Sequence, residues 1–140
     1  MGKKAVWVTI VLILCACIQQ AFAMGELVVV TKATQAKLGL NFTLVAERVD
    51  AEAVLVRIEV PRAGKLKTLR NIGMSIGQGR PIVAATLQTT TGKDGSWIAN
   101  FQVSPEMADK CSIDLLVPDV SGDEYLVYAV QLKGYVTDRK

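Results

Sequence analysis

Residues 54–60 read Val-Leu-Val-Arg-Ile-Glu-Val, and this stretch sets the pattern for most of the chain. Every second residue in it, starting from the first, is apolar, whereas Arg57 and Glu59 fall between apolar neighbours. Because successive side chains of a β-strand point to opposite faces, this alternation predicts a strand with one buried face. Residues 50–52, Asp-Ala-Glu, come just before it and are typical of a hairpin connection.

The same alternation recurs in several other parts of the chain. It is present in residues 38–47, 97–103, 111–117 and 126–132. Two more stretches, 26–31 and 82–90, bring the expectation to about seven strands. No long stretch keeps the helical period of 3.6 residues. Residues 104–106, Ser-Pro-Glu, predict one short helix, because serine caps a helix and proline suits its first position.

The expected fold is all-β: an antiparallel two-sheet sandwich of about seven or eight strands with one short helix. The helix is expected to carry the chain between the sheets, which resembles the crossover between the fifth and sixth strands of immunoglobulin-like and fibronectin-type sandwiches. Cys111 has no matching cysteine in the early strand around Phe42, so the paired cysteines of antibody domains are absent. A barrel is the alternative fold, because alternation alone does not separate the two. Residues 62–80, interrupted by glycines, are expected to form a long connection with a short helix or an edge strand.

Residues 1–23 have the composition of an export signal. Two lysines precede an almost continuous apolar run, and Ala21-Phe22-Ala23 ends the segment. This order predicts a signal peptide with Ala21 and Ala23 at the cleavage site. A single domain is expected to follow it over residues 24–140, since that length suits one hydrophobic core.

Three alternatives stay open for this N-terminal segment. Leu14-Cys15-Ala16-Cys17 resembles a bacterial lipobox, in which Cys17 would carry a lipid anchor. An uncleaved membrane anchor is the second, although the apolar run is shorter than the ~20 residues that span a bilayer core. Met24 as the true first residue is the third, and it would cancel export. We therefore expect an exported protein, periplasmic or extracellular, with lipid anchoring at the membrane as the alternative.

Missing and rare residue types exclude several kinds of chemistry. The 140 residues include no histidine, which removes the commonest general base and metal ligand. Cys111 is the one cysteine after residue 23, so the mature chain has no internal disulfide, and the apolar alternation around it predicts burial. Residues 73–77 match the Gly-x-Ser-x-Gly pattern of a nucleophile elbow, but without histidine they are interpreted as a glycine-rich loop. We predict no enzyme, no metal and no cofactor.

Charge is spread unevenly along the chain. Residues 1–23 carry two lysines and no acid, so the rest has 14 basic and 13 acidic side chains, a net charge of +1. Residues 57–80 have a local net charge of +5, and residues 105–124 have one of −5. Solvated surfaces explain such patches, and a binding surface on the basic connection 62–80 is the functional alternative. The candidate binding residues are Arg62, Lys65, Lys67, Arg70 and Arg80.

The functional hypothesis is a non-enzymatic β-sandwich module of the cell envelope or exterior. It would bind a protein or an anionic surface polymer through the basic connection, or act as a structural or accessory subunit. Opposite charge patches or strand edges could also join copies into a homo-oligomer. Nucleic acid is disfavoured by export and by the small net charge. Membrane contact is expected only with a lipid anchor or an uncleaved segment.

Two other interpretations concern residues 119–124 and the aromatic side chains. An exported glycan hydrolase that uses the carboxylates of Asp119, Asp123 and Glu124 is the alternative function. The same residues suggest a calcium loop, but a hairpin turn is the preferred interpretation of their Asp, Ser and Gly content. Tyr125 and Tyr135 are candidates for stacking on a sugar ring, because the other aromatic side chains of the mature chain fall mainly on apolar faces of predicted strands.

Overall fold

The computed structural model describes residues 24–77 and 83–139, and within them ten strands form two five-stranded sheets. Sheet A contains, in spatial order, β1 (Met24–Val30), β9 (Tyr125–Gln131), β8 (Cys111–Pro118), β4 (Asn71–Ile76) and β5 (Val83–Thr86). Sheet B contains β10 (Val136–Asp138), β2 (Thr43–Arg48), β3 (Val54–Val60), β7 (Trp97–Val103) and β6 (Thr90–Thr91). The predicted all-β, two-sheet architecture is confirmed, with ten strands in place of the expected seven or eight.

One hydrophobic core lies between the sheets. The alternation of β3 is reproduced residue by residue, since Val54, Val56, Ile58 and Val60 are at most 2% exposed. On β8 the same phase buries Ile113 and Leu115 completely. Residues of both sheets therefore bury their apolar faces against each other, as the period of two requires.

The short helix α1 (Pro105–Ala108) connects β7 of sheet B to β8 of sheet A. The hydroxyl of Ser104 accepts a hydrogen bond from the backbone N–H of Met107 at 3.2 Å, and Pro105 occupies the first turn. Ala108 is buried and fixes the helix to the core. The predicted cap, helix and change of sheet are all present.

The prediction of a fully antiparallel arrangement is wrong at two edges. β1 pairs with β9 in parallel, and β10 pairs with β2 in parallel, so both sheets are mixed. Parallel neighbours need a connection that crosses over, and these two strands, the first and last along the described chain, pair with strands distant in sequence. Alternation reports which side chains are buried and carries no information on strand direction.

The predicted strand over 38–47 begins only at Thr43. Residues 32–39 form turns. They begin where the backbone N–H of Thr31 donates to the Thr34 hydroxyl and the backbone N–H of Thr34 donates to the Thr31 hydroxyl. Gly39 ends these turns with a φ of +67°, a conformation that favours glycine. Leu40 and Phe42 are buried in the short segment between these turns and β2, so the apolar alternation there reports burial without a strand.

The connection predicted over 62–80 contains the strand β4, which is internal to sheet A and not an edge strand. A 3-10 helix, Gly64–Leu66, precedes it, and Leu66, Leu69 and Ile72 are all buried. The spacing of three is thus real, but Ile72 already belongs to the strand. Ile72, Met74 and Ile76 alternate with Gly73 and Ser75, but Gly73 and the glycines that follow the strand favoured the interpretation as a connection.

Residues 1–23, with the predicted signal, its cleavage site at Ala21 and Ala23, and Cys17, lie outside the described residues, as does Arg80. No helix within 24–77 and 83–139 is long and apolar enough to cross a membrane.

Candidate binding groove

An open groove of about 630 Å³ lies at one end of the sandwich. Three chain segments meet there: the start of β1, the turn between β8 and β9, and the connection that leads into β4. We call it the end groove and define it by its polar and aromatic rim. The rim consists of Glu26, Lys65, Thr68, Asp119, Glu124 and Tyr125.

The turn at residues 119–124 shapes one wall of the end groove. One carboxylate oxygen of Asp119 accepts hydrogen bonds from the Ser121 hydroxyl and the Gly122 backbone N–H, both at 2.7 Å. Gly122 has a φ of +78°, which favours glycine at this corner. The Asp119 N–H also donates to the Glu124 carbonyl at 2.9 Å. The predicted hairpin turn is confirmed.

The hydrogen bonds of this turn set the charge state of Asp119. The pKa of Asp119 is lowered, chiefly because the Ser121 hydroxyl donates to its carboxylate. Asp119 is therefore a fixed negative charge on the groove wall. A general acid for glycan hydrolysis needs the opposite, a raised pKa, so Asp119 is unsuited to that role.

Lys65 supplies the positive charge of the end groove. Its ammonium group donates a hydrogen bond to the backbone carbonyl of Leu38, so the side chain spans from the connection to the turns at 32–39. Glu26 and Tyr128 both line the groove, and burial of Tyr128, followed by the charge of Glu26, raises the pKa of that tyrosine. With Glu26, Asp119 and Glu124 against Lys65, the rim carries more negative than positive charge.

Tyr125 gives the end groove an aromatic surface. Its side chain is 40% exposed, and it begins β9 opposite Pro118. Carboxylate oxygens and an ammonium group around an exposed ring provide hydrogen-bond acceptors, donors and a stacking surface together. This combination is suited to a ligand with many hydroxyl groups and an apolar ring face.

Of the two tyrosines proposed for stacking, Tyr135 is unavailable to a ligand. It is 7% exposed, and its hydroxyl donates to the Gln35 side-chain oxygen at 2.7 Å. The Gln35 amide nitrogen in turn donates to the carbonyls of Leu40 and Phe42. Tyr135 therefore fastens the C-terminal 3-10 helix, Leu132–Tyr135, to the segment before β2.

The predicted basic residues have separate environments. Four of the candidate basic residues lie in the described part of the chain, and of these Lys65 lines the end groove. The guanidinium of Arg62 lies 5.0 Å from the ring centre of Trp97, in a cation–π contact. Arg70 fastens the connection to sheet A through its backbone N–H, which donates to the Leu116 carbonyl at 2.9 Å. Its side chain and that of Lys67 are exposed.

A polar cluster on the outer face of sheet A was not predicted. The hydroxyls of Ser75 and Ser112 each lie 2.9 Å from a different carboxylate oxygen of Asp114, and the two hydroxyls are 2.8 Å apart. Strand register brings these residues together, because Ser75 faces Ser112 across β4 and β8. With β4 unrecognised, the sequence offered no signal for this cluster.

The cluster does not have the geometry of a nucleophile elbow. Ser75 lies within β4 and not at a strand-to-helix turn. Burial raises the pKa of Asp114, while the hydrogen bonds from Ser75 and Ser112 oppose that shift. We interpret the cluster as a satisfied polar network that pins β4 to β8.

Cys111 is buried, as predicted, and it is a free thiol. Burial, with a smaller contribution from the charge of Asp114, raises the pKa of Cys111 to about 11. The thiolate that reacts with oxidants and metals is therefore scarce near neutral pH. In the described part of the chain, no group of three acidic, cysteine or histidine side chains is arranged to hold a metal ion.

Comparison with known proteins gives no relative: no family model, curated protein or solved structure matches the chain.

Proposed function

We propose that this protein is an exported, non-enzymatic β-sandwich module of the cell envelope or exterior that binds a surface polymer in the end groove. The observation that carries this proposal is the exposed ring of Tyr125 within an open groove lined by carboxylates and one ammonium group. A glycan chain offers what these groups recognise, namely hydroxyls for hydrogen bonding and a ring face for stacking.

An immunoglobulin-like architecture is part of this proposal. The order β2-β3-β7-β6 corresponds to strands A-B-E-D of such a sandwich, and β9-β8-β4-β5 corresponds to G-F-C-C′. The position of α1 between β7 and β8 also supports it, since that is the crossover from E to F. In such modules ligands are bound by loops at the ends of the sandwich, where the end groove lies.

The test compares two exposed side chains, one beside the last residue of β8 and one in the helix that precedes its first residue. Tyr125→Ala removes the stacking surface of the end groove, and Met107→Ala is the control, because Met107 is 47% exposed near the other end of the strand. We expect Tyr125→Ala to weaken binding of the purified protein to envelope polysaccharide by up to about tenfold. Affinity electrophoresis measures this change. Equal binding by both variants would overturn the end groove as the site.

The basic connection is the second candidate surface, and salt dependence separates it from the end groove. A variant with Arg62, Lys67 and Arg70 replaced by serine keeps Lys65, which lines the end groove. It should show a salt-sensitive loss of retention on envelope fractions if the basic connection binds an anionic polymer. Stacking on Tyr125 depends little on salt. Loss of salt-sensitive retention in the serine variant, with normal retention of Tyr125→Ala, would transfer the binding function to the basic connection.

Hydrolysis and location are tested on the same preparation. Release of reducing ends from the bound polysaccharide would overturn the non-enzymatic proposal in favour of a carboxylate hydrolase that uses residues such as Asp123 and Glu124. The intact mass of the native protein decides its location. A chain that begins at Met24 supports export with cleavage, a lipidated chain that begins at Cys17 supports anchoring, and an unprocessed chain contradicts both.

A further inference from the structure

Strand β1 forms one edge of sheet A, and β9 is the strand that pairs with it among the described residues. Its inward side chain Val30 is fully buried, whereas its outward side chains Leu27 and Val29 are 56% and 55% exposed. No second strand pairs with β1 within the described residues, so the backbone on its other side is available to another extended strand. Four consecutive apolar residues, 27–30, follow Glu26 along this edge.

The other sheet edges in the described residues are short or carry polar groups. β6 has two residues, both threonine, and β10 has three, of which Asp138 is charged. β5 has four residues and ends in Thr86. Natural proteins protect sheet edges with charges, proline, bulges or short strands. Residues 27–30 contain no charge and no proline, and the irregularity in the pairing of β1 lies before them, between Met24 and Glu26.

We propose that β1 pairs with β1 of a second copy of this chain, in an antiparallel register centred on Val28. This pairing would join two copies of sheet A into one continuous ten-stranded sheet around a twofold axis. Closed twofold dimers are the commonest protein assemblies, and antiparallel pairing of one strand with its own copy satisfies that symmetry.

Side-chain complementarity supports a second copy as the occupant. In the register centred on Val28, Leu27 of each copy faces Val29 of the other, so each exposed aliphatic side chain is covered by another. Glu26 faces Val30 of the other copy, which places the two carboxylates at opposite ends of the paired strands and avoids opposition of like charges. Shifting the centre by one residue in either direction pairs fewer of residues 26–30 and would leave Leu27 or Val29 facing Thr31 or Gly25.

The paired edge is small, so the dimer should be weak. Stable interfaces bury about 1,200–2,000 Å² in total, more than one pair of five-residue strand edges provides. We therefore expect monomer and dimer to exchange in a concentration-dependent equilibrium. The outward side chains of Leu27 and Val29 cover each other across the paired strands. Truncating either side chain, or replacing it with a charged one, should therefore shift this equilibrium toward monomer.

Cysteine cross-linking tests the register. Leu27→Cys and Val29→Cys are made as two separate single variants and mixed in equal amounts under mild oxidation. We expect a disulfide-linked dimer in the mixture and little in either variant alone, because residue 27 faces residue 29 across the twofold axis. Mass spectrometry of the linked peptides identifies the pair and separates it from any other cysteine. Efficient linking of either variant to itself would overturn the register.

Sedimentation velocity over a range of concentrations tests the edge itself. Val29→Lys places a charge on the outward face of β1, where it would face Leu27 of the second copy, and Val120→Lys is the matched control, because Val120 is fully exposed in the turn at 119–124. We expect Val29→Lys to be monomeric where the parent chain and Val120→Lys form dimers. Equal dimerisation of both variants would assign association to another surface. A parent chain that is monomeric at every concentration and does not cross-link would overturn the proposal and leave the edge to a strand from another protein.

Discussion

The strands β1 and β10 occupy equivalent places in the two sheets but present opposite surfaces. Each lies near one end of the described chain, and each is added in parallel to the edge of one sheet. β1 leaves Leu27 and Val29 more than half exposed. β10 has only Val136 as an apolar residue, and the Arg139 side chain beyond it pairs with Glu47 at 2.7 Å.

The comparison shows that the edge at β10 is protected against pairing with another strand and that the edge at β1 is not. At β10 a short strand, charged neighbours and a 3-10 helix in front of it leave little backbone for another chain. At β1 a seven-residue strand has β9 as its one neighbour in the part of the chain that the structure describes. Edge chemistry, and not strand direction, therefore indicates where this module can accept another strand.

The largest expected effect concerns how firmly each edge strand is anchored in the core. Val30→Ala should lower the free energy of unfolding by about 2 kcal/mol, because Val30 is fully buried and the truncation leaves a cavity. Val136→Ala should cost less than about 1 kcal/mol, since Val136 is only half-buried. Urea unfolding measures both values. Equal losses would show that β10 is anchored as firmly as β1.

A smaller effect is expected where the chain enters β10. Tyr135→Phe removes the hydroxyl that donates to Gln35 and leaves a partly buried amide oxygen without that donor, which should cost about 1 kcal/mol. Tyr125→Phe is the matched control on the β1 side, because its ring is exposed and should tolerate the change. Thermal unfolding of the two variants makes the comparison. Similar melting temperatures would contradict the anchoring role of Tyr135.

The ion pair beside β10 should contribute least to stability. Arg139→Gln removes the contact with Glu47, and we expect a loss of about 0.5 kcal/mol or less, because both side chains are partly exposed to solvent. Self-association should stay unchanged, since the edge keeps its short length and Asp138. Dimer formation through β10 in this variant would mean that the Arg139 charge is what protects the edge.

Two carboxylates extend the comparison to pH. The pKa of Asp114 is raised from 3.8 by burial, so its contribution is present below the unfolded pKa and is lost as pH rises through the folded pKa. The pKa of Asp119 is lowered from 3.8, chiefly by the Ser121 hydroxyl, so its contribution is present above the unfolded pKa and is lost as pH falls through the folded pKa. The two groups therefore change stability with opposite signs.

Substitution separates these two contributions. Asp114→Asn should make the rise of stability with pH steeper in the acid range, and Asp119→Asn should make it shallower. Urea unfolding at several acidic pH values measures both slopes. Slopes that change in the same direction would contradict the assignment of opposite shifts.

Much of the fold could be predicted from local patterns. The bounds predicted for β3 and β7 are those observed, and the helix after Ser104 is present. The errors fall where a second local pattern competes with alternation. The Thr31–Thr34 pairing and Gly39 produce turns at 32–39, and Gly73 with the glycines after β4 favours a loop where a strand forms.

Less of the candidate site could be predicted, because its parts come from distant segments. Tyr125 is not on the apolar face of its predicted strand, which makes it a candidate for stacking, and it does line the end groove. Lys65 also lines the groove, but the sequence marks it only as one of several basic residues. The proximity of Lys65 to Glu26 and Asp119 had no local signal. The local net charges predict one basic and one acidic patch, separate from each other. Folding instead brings a cation of the first and acids of the second to one groove.

By itself the sequence determined the fold class, the buried face of most strands, the capped helix and the turn at 119–124. These follow from short-range physics: alternation, capping and turn chemistry act within a few residues. The tertiary structure alone decided the parallel edges, the internal position of β4, the Ser75–Ser112–Asp114 cluster and the end groove. Those features depend on which strands become neighbours, and that choice is set by burial of the whole core and not by any single stretch of residues.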